Sequence, residues 1–202
     1  MNFIKFKSSL KDFPIFSVAD IRAIDPSFDR RRLSEWQKKE YIRKISKGLY
    51  IFSDVDINED ILFKIANKIY RPSYISLESA LAYYQLIPEI TYGVTSISTR
   101  RTYQFNTPLT HFTYRSIAQH LYFGYIVTDH ALRIATLEKA LLDFLYLNHD
   151  IDDPTSFDSL RVNQEAFFHQ FDEDALNNQL GRFDTIALTN RVRRFMEWIR
   201  HA

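Results

Sequence analysis

The chain contains no cysteine, which excludes a disulfide scaffold, a thiolate metal site and a thiol nucleophile. Only four glycines occur in 202 residues, and none are clustered, so there is no glycine-rich loop to cradle a phosphate. No apolar run approaches the roughly 18 residues that crossing a bilayer requires, and no secretion leader is visible. A His-Glu-x-x-His string is also missing. His111, His120 and His130 are spread through strands and turns without an adjoining carboxylate cluster, so no metal site is expected. These absences predict a cytoplasmic, non-enzymatic protein with no cofactor.

Hydrophobic residues make up 46% of the chain, enough to bury a core without staples. The net charge of +1 conceals a gradient. Residues 1–52 carry twelve Lys or Arg against six Asp or Glu, whereas 53–150 and 151–202 are each slightly acidic. A positive block at one end attracts a polyanion there.

The elements carrying that charge come in an informative order. Phe3, Ile4, Phe6 and Leu10 suit a first helix. Ser17 is a good N-cap with Asp20 three positions on, and Val18, Ile21 and Ile24 supply the apolar face of a second helix. Asp25-Pro26-Ser27 ends it. Asp29 caps a third helix running to about Lys39. At 100° per residue, Arg31, Ser34, Gln37 and Lys38 fall within an arc of about 120°, with Arg30 beside them, while Leu33 and Trp36 fall on the other side. Anchoring by Leu33 and Trp36 turns the Arg/Ser/Gln/Lys face outward, and these side chains donate to phosphates and base edges. Tyr41–Phe52 reads as a β-hairpin with Lys47-Gly48 at its turn. Ile42 and Ile45 do not alternate cleanly, so the first strand is short or bulged. Arg43, Lys44 and Lys47 are then phosphate ligands on a wing. Helix, helix, basic helix and hairpin together predict a winged helix-turn-helix that binds double-stranded DNA.

Beyond it, Asp54–Asp60 is polar and marks a boundary. A helix over 61–70 is stopped by Arg71-Pro72, and Ser76 caps another over 77–86. From Tyr92 to Ile134 the period changes to two, giving four or five short strands near 94–99, 102–105, 112–117, 122–127 and 132–135. Thr136 opens a helix with Leu137, Ala140, Leu141, Phe144 and Leu145 inward, on which Lys139 and Asp143 read as a surface i,i+4 pair. Asp150–Ser156 is a polar connection, followed by helices near 164–171, 173–180 and 184–200. The expected fold class is α+β: a winged helix at 1–55, an α+β domain with a small antiparallel sheet at 56–150, and a helical extension at 151–202. Arg100, Arg101 and Arg115 are candidates for a second basic patch on the sheet. Tyr83, Tyr84, Tyr114, Tyr122 and Tyr125 suit either a contact surface or the edge of a core. Arg191-Val192-Arg193-Arg194 reads as a solvated helix face. Asp129-His130 reads as a turn with a locally satisfied histidine rather than an acid–base pair.

Three strings resemble the abortive-infection E antitoxin family. Residues Glu40-Tyr41-Ile42-Arg43-Lys44-Ile45-Ser46-Lys47-Gly48-Leu49-Tyr50 are similar to the family's Gly-Leu-x-Arg-x-x-x-Arg-Gly-x-Tyr line, departing at Glu40, where members tend to have glycine. Tyr74–Leu81 and Arg133–Asp143 are similar to two further segments, so the resemblance covers most of 1–150. It implies a transcriptional repressor that binds operator repeats and serves as the antitoxin of a type IV toxin–antitoxin pair, opposite a nucleotidyltransferase-like toxin. Tight direct binding of the toxin is not a general expectation for that type. Arg30, Arg31, Ser34, Gln37 and Lys38 are then the groove readers, and Arg43, Lys44 and Lys47 the wing. The alternatives are a winged-helix adaptor that binds a protein without reading DNA and a nucleic-acid-processing enzyme.

Overall fold

The structure, a computed structural model, describes residues 2–11, 13–88, 93–128 and 131–201. The chain opens with α1 (Phe3–Ser9), β1 (Ile15–Ser17), α2 (Val18–Ile24) and α3 (Arg31–Lys38), then β2 (Ile42–Ser46) and β3 (Leu49–Phe52). Ser17 and Asp20 form the anticipated capping box at the start of α2. The hairpin turns at Gly48, whose φ of 79° is left-handed. Its register slips between Lys44 and Ser46, the bulge that the spacing of Ile42 and Ile45 announced. The strand β1 was not anticipated, because three residues are too few to establish a period of two. It pairs with β3, so the order in this antiparallel sheet is β1-β3-β2.

This sheet is apolar on both faces. Phe16, Ile42, Tyr50 and Phe52 pack with Phe6, Ile21, Leu33 and Trp36 in one cluster. Ile15, Ile45, Leu49 and Ile51 belong to the larger cluster that fills the rest of the molecule. Val55, in the polar segment after β3, packs against both. The two parts of the chain therefore share one sheet. An ion pair ties them further, since Lys68 Nζ lies 2.8 Å from Asp20 and donates to the Ile15 carbonyl.

The larger part runs α4 (Glu59–Ile69), β4 (Ser73–Ile75), α5 (Leu77–Tyr83), β5 (Val94–Ser98), β6 (Tyr103–Asn106), β7 (His111–Ser116), β8 (Tyr125–Val127), β9 (Arg133–Ala135) and α6 (Leu137–Leu147). It then continues through α7 (Pro154–Ser159), α8 (Gln164–Gln170), α9 (Glu173–Gly181) and α10 (Ile186–His201). The helix α7 replaces the expected polar connection; Asp153 and Ser156 form a capping box, and Pro154 is pre-set for a first turn. Six strands align as β6-β7-β5-β4-β9-β8 among the described residues. The antiparallel expectation holds for β4·β5, β6·β7 and β8·β9, but β5·β7 and β4·β9 are parallel. Alternation along a strand fixes its faces and is silent about its neighbour's direction.

Register assigns the faces. Tyr74, Ile97 and Arg115 align on one side, and Ile75, Ser96 and Tyr114 on the other. The Tyr114 hydroxyl donates to Ala66 of α4 at 2.6 Å, whereas the Tyr74 hydroxyl donates to Asp143 of α6 at 2.9 Å. So α4 covers one face and α6 the other. Tyr114 is fully buried, and the Tyr84 hydroxyl donates to the Ala135 carbonyl. Burial pushes the hydroxyls of Tyr84 and Tyr122 up to about 12. These tyrosines belong to the core and its edge; Tyr83 stays exposed.

The exit from α3 is a Schellman turn. The Tyr41 N–H reaches the Trp36 carbonyl at 2.9 Å and the Glu40 N–H reaches that of Gln37 at 3.0 Å. Glu40 takes a φ of 56°, a conformation that costs an L side chain about 1 kcal/mol or more and a glycine almost nothing. Glu40→Gly should therefore raise stability by about 1 kcal/mol, read as a rise of roughly 2–4 °C in Tm for a chain of this size. A lower Tm would refute the assignment of this turn.

Asp20 gives a pH test. Partial burial works to raise its pKa, but Lys68 and the Ser17 N–H outweigh it and hold the carboxyl below its ordinary value. The stability it contributes is complete above about pH 4 and is lost as pH falls through the folded value. Asp20→Asn should lower Tm at pH 7, and the two melting curves should converge in acid, as followed by circular dichroism between pH 7 and pH 2.

Candidate nucleic-acid interface

The helix α3 is seated by aromatic rings. Leu33 and Trp36 are 3% and 5% exposed, and the Trp36 ring stacks on Phe6 at 4.8 Å and meets Phe3 edge-on at 5.3 Å. With those two residues held inward, Arg30, Arg31, Ser34 and Lys38 are all exposed. Arg30 precedes the helix, and Asp29 Oδ1 accepts the Arg31 N–H at 2.9 Å, which fixes the first turn. Gln37 is only half-exposed, with its amide donating back to the Leu33 carbonyl at 3.0 Å.

The wing candidates do not share a face. All three are exposed. On β2, Lys44 stands opposite Tyr50, whose ring belongs to the α3 side of the sheet; Arg43 stands opposite Ile51, on the other side. Arg43 donates to the Val55 carbonyl at 3.2 Å. Lys47, at the turn, borders a hollow together with Lys68 and Arg71. Lys44 is thus the wing candidate placed on the α3 side, and Lys47 borders the hollow beside α4.

The second basic patch does not assemble. Arg100 lies 4.4 Å over the Tyr70 ring, on the α4 side, and Arg101 is exposed in the turn after β5. Arg115 is on the opposite face and donates to Leu147, the last residue of α6, at 3.0 Å. In the tail basic run, Arg193 stays on a solvated face but Arg191 does not. Arg191 is 7% exposed and donates to the Leu145 carbonyl at 3.0 Å, and Arg194 pairs with Asp152. Arg115 and Arg191 satisfy orphan carbonyls at the negative end of α6, where cations are favoured.

The largest departure concerns Lys139 and Asp143. Instead of a surface pair, both side chains are fully buried and in contact. Asp143 also accepts the hydroxyls of Tyr74 and Ser76, at 2.9 and 2.8 Å. Lys139 donates to Tyr74 at 3.0 Å and lies over the rings of Phe123 and Phe183. Burial pushes the ammonium down and the carboxyl up, and their contact offsets both shifts. Burial and the Asp143 carboxylate raise the Tyr74 hydroxyl far above its usual range. Ser76 was expected to cap α5, but its hydroxyl is committed here, and it makes no capping hydrogen bond. The cluster is sealed, and it joins the two strings 74–81 and 133–143 that carry the family resemblance.

One cationic grouping escaped the sequence reading. Lys64, Asn67 and Lys68 on α4, with Arg71 just beyond it, line a cleft of about 530 Å³ together with Arg133, Asp20 and Phe13. Positions 64, 67, 68 and 71 follow helical spacing, so a wheel drawn over 61–71 would have found the stripe. Among the described residues no group of three or more His, Cys, Asp or Glu could hold a metal ion, and no helix is long and apolar enough to cross a membrane. His111 is bonded to Asn106, and His120 is exposed. Asp129 and His130 lie outside the described residues. No protein-family model matches the chain, and no curated protein matches it.

The buried pair predicts an asymmetric response. Lys139→Met alone strands the Asp143 carboxylate in the core and should cost about 3–5 kcal/mol, whereas Lys139→Met with Asp143→Leu should recover much of that loss. Denaturant unfolding of the two variants checks it. Equal losses would mean that the pair is not sealed from water.

Proposed function

We propose that residues 2–53 form a winged helix-turn-helix that binds duplex DNA, with α3 in the major groove and the β2–β3 hairpin as its wing. In this reading the chain is a transcriptional repressor and the antitoxin of a nucleotidyltransferase-like toxin. The observation that carries it is the outward set of Arg30, Arg31, Ser34 and Lys38 on a helix fixed from behind by Leu33 and Trp36. Such a helix offers donors to phosphates and guanine edges without unpacking anything. The order helix, strand, helix, helix, hairpin, closed by a three-stranded sheet, supports the same assignment. Lys44 neutralises a flanking phosphate, and the half-free amide of Gln37 is available to a base edge. No catalytic role is part of this reading. The antitoxin role rests on the resemblance of the three strings and is carried by the larger part of the chain.

Fluorescence anisotropy against the protein's own upstream region, at two salt concentrations, is the test. Binding should prefer that sequence and weaken steeply with salt. Arg31→Ala with Lys38→Ala should lower affinity by roughly tenfold or more, and Lys44→Ala should reduce the salt slope by about one unit. Undetectable or salt-insensitive binding would remove DNA from the function. Separately, co-expression with the nucleotidyltransferase-like product of an adjacent gene should restore growth. A toxin left fully active would remove the antitoxin role.

A further inference from the structure

The cleft beneath α4 has the composition of an anion site. It lies where β1 and α2 meet α4 and β9, so both parts of the chain contribute to its walls. Among the described residues, the cations Lys64, Lys68 and Arg71 line it with the carboxylate of Asp20, while Arg133 borders it through its backbone, its side chain standing on the Tyr74 side of the sheet. Lys68 is engaged by Asp20 and the Ile15 carbonyl. The side chains of Lys64 and Arg71 make no hydrogen bond or ion pair among the described residues. Cations gathered around one concavity repel one another unless an anion joins them.

A second observation points the same way. Asn67 is 6% exposed and lines the cleft. Its Oδ1 accepts the Arg133 N–H at 2.6 Å, which fixes the amide's orientation, and its Nδ2 has no partner among the described residues. A buried donor without a partner is rare and costly, and here it sits among free cations. At the rim, the ring of Phe13 is 66% exposed. The volume of about 530 Å³ falls in the range of small-ligand sites and is concave, unlike the convex face of α3.

We propose that this cleft binds a small polyphosphate of nucleotide size. Arg71 takes phosphate oxygens in fork geometry, Lys64 and Lys68 act as point charges, Asn67 donates to the anion, and Phe13 stacks on the base. The site is independent of the DNA reading and survives its failure.

Isothermal titration calorimetry with ATP and with inorganic pyrophosphate, on the full chain, tests this. Saturable ATP binding with a Kd below about 100 μM is expected. Lys64→Ala with Arg71→Ala should weaken it at least roughly tenfold, while Lys5→Ala with Arg193→Ala, exposed cations outside the cleft, should leave it unchanged. Asn67→Asp keeps the acceptor for Arg133 but puts a carboxylate beside the phosphates, so it should abolish binding without unfolding the protein, as checked by its melting curve. Phe13→Ala should weaken ATP and spare pyrophosphate. No saturable binding by about 1 mM, or binding indifferent to the cleft substitutions, would overturn the proposal. Equal affinity for ATP and pyrophosphate would overturn the role given to Phe13. Cleft variants that lose duplex affinity in a protein that binds no nucleotide would assign the cations to DNA instead.

Discussion

The buried contact between Lys139 and Asp143 governs how the larger part of the chain is put together. An ion pair removed from water is tolerable only when its remaining hydrogen-bonding capacity is satisfied, and that demand fixes the neighbours. Tyr74 on β4 and Ser76 just after it must present their hydroxyls to Asp143, which sets the height of α6 over the sheet. Phe123 and Phe183 must bring ring faces to Lys139, which draws in the loop before β8 and the turn between α9 and α10. Gly124 permits this approach, for a Cβ there would lie about 3 Å from the Lys139 side chain. The far end of the same helix is finished by Arg115 and Arg191, one from each side. The helix is thus specified by polar contacts along its length, while the apolar residues around them contribute most of the burial.

The other organising feature is the sheet of the first fifty residues, sandwiched between two apolar clusters. Its inner face holds α3 through aromatic stacking; its outer face continues into the main core. A helix proposed to read a groove is consequently braced against the whole molecule through a single layer of strands. The cleft lined by α4 lies in the same seam, where Lys68 pairs with Asp20. The proposed polyphosphate would sit in that seam and touch both parts at once.

How much of this the sequence disclosed depends on whether spacing or depth was at issue. Angular position was legible. Leu33 and Trp36 pointed inward and Arg31, Ser34 and Lys38 outward, as a 100° step dictates, and the irregular pair Ile42 and Ile45 did mark a bulge. Depth was not. Lys139 and Asp143 have the same spacing whether they lie on a surface or in a core. Only the surrounding residues, mostly apolar from Leu137 to Leu145, leave the pair nowhere exposed to go. Arg191 and Arg115 were misjudged for the same reason, since the carbonyls they serve lie 46 and 32 residues away in the chain. Strand direction was also out of reach, because β7 runs parallel to β5 only after the β6–β7 hairpin has folded β7 into the space beside it. In the candidate interface, the reading of α3 needed local information alone. Separating Arg43 from Lys44 needed the register of β2 on β3.

The two-sided sheet has a consequence for any attempt to treat the first fifty-odd residues as a portable cassette. Excised, they would carry Ile15, Ile45, Leu49 and Ile51 as an uncovered oily face next to unpaired strand edges, a combination that invites self-association. A chimera grafting this segment onto a foreign partner must bring α4 along as its lid.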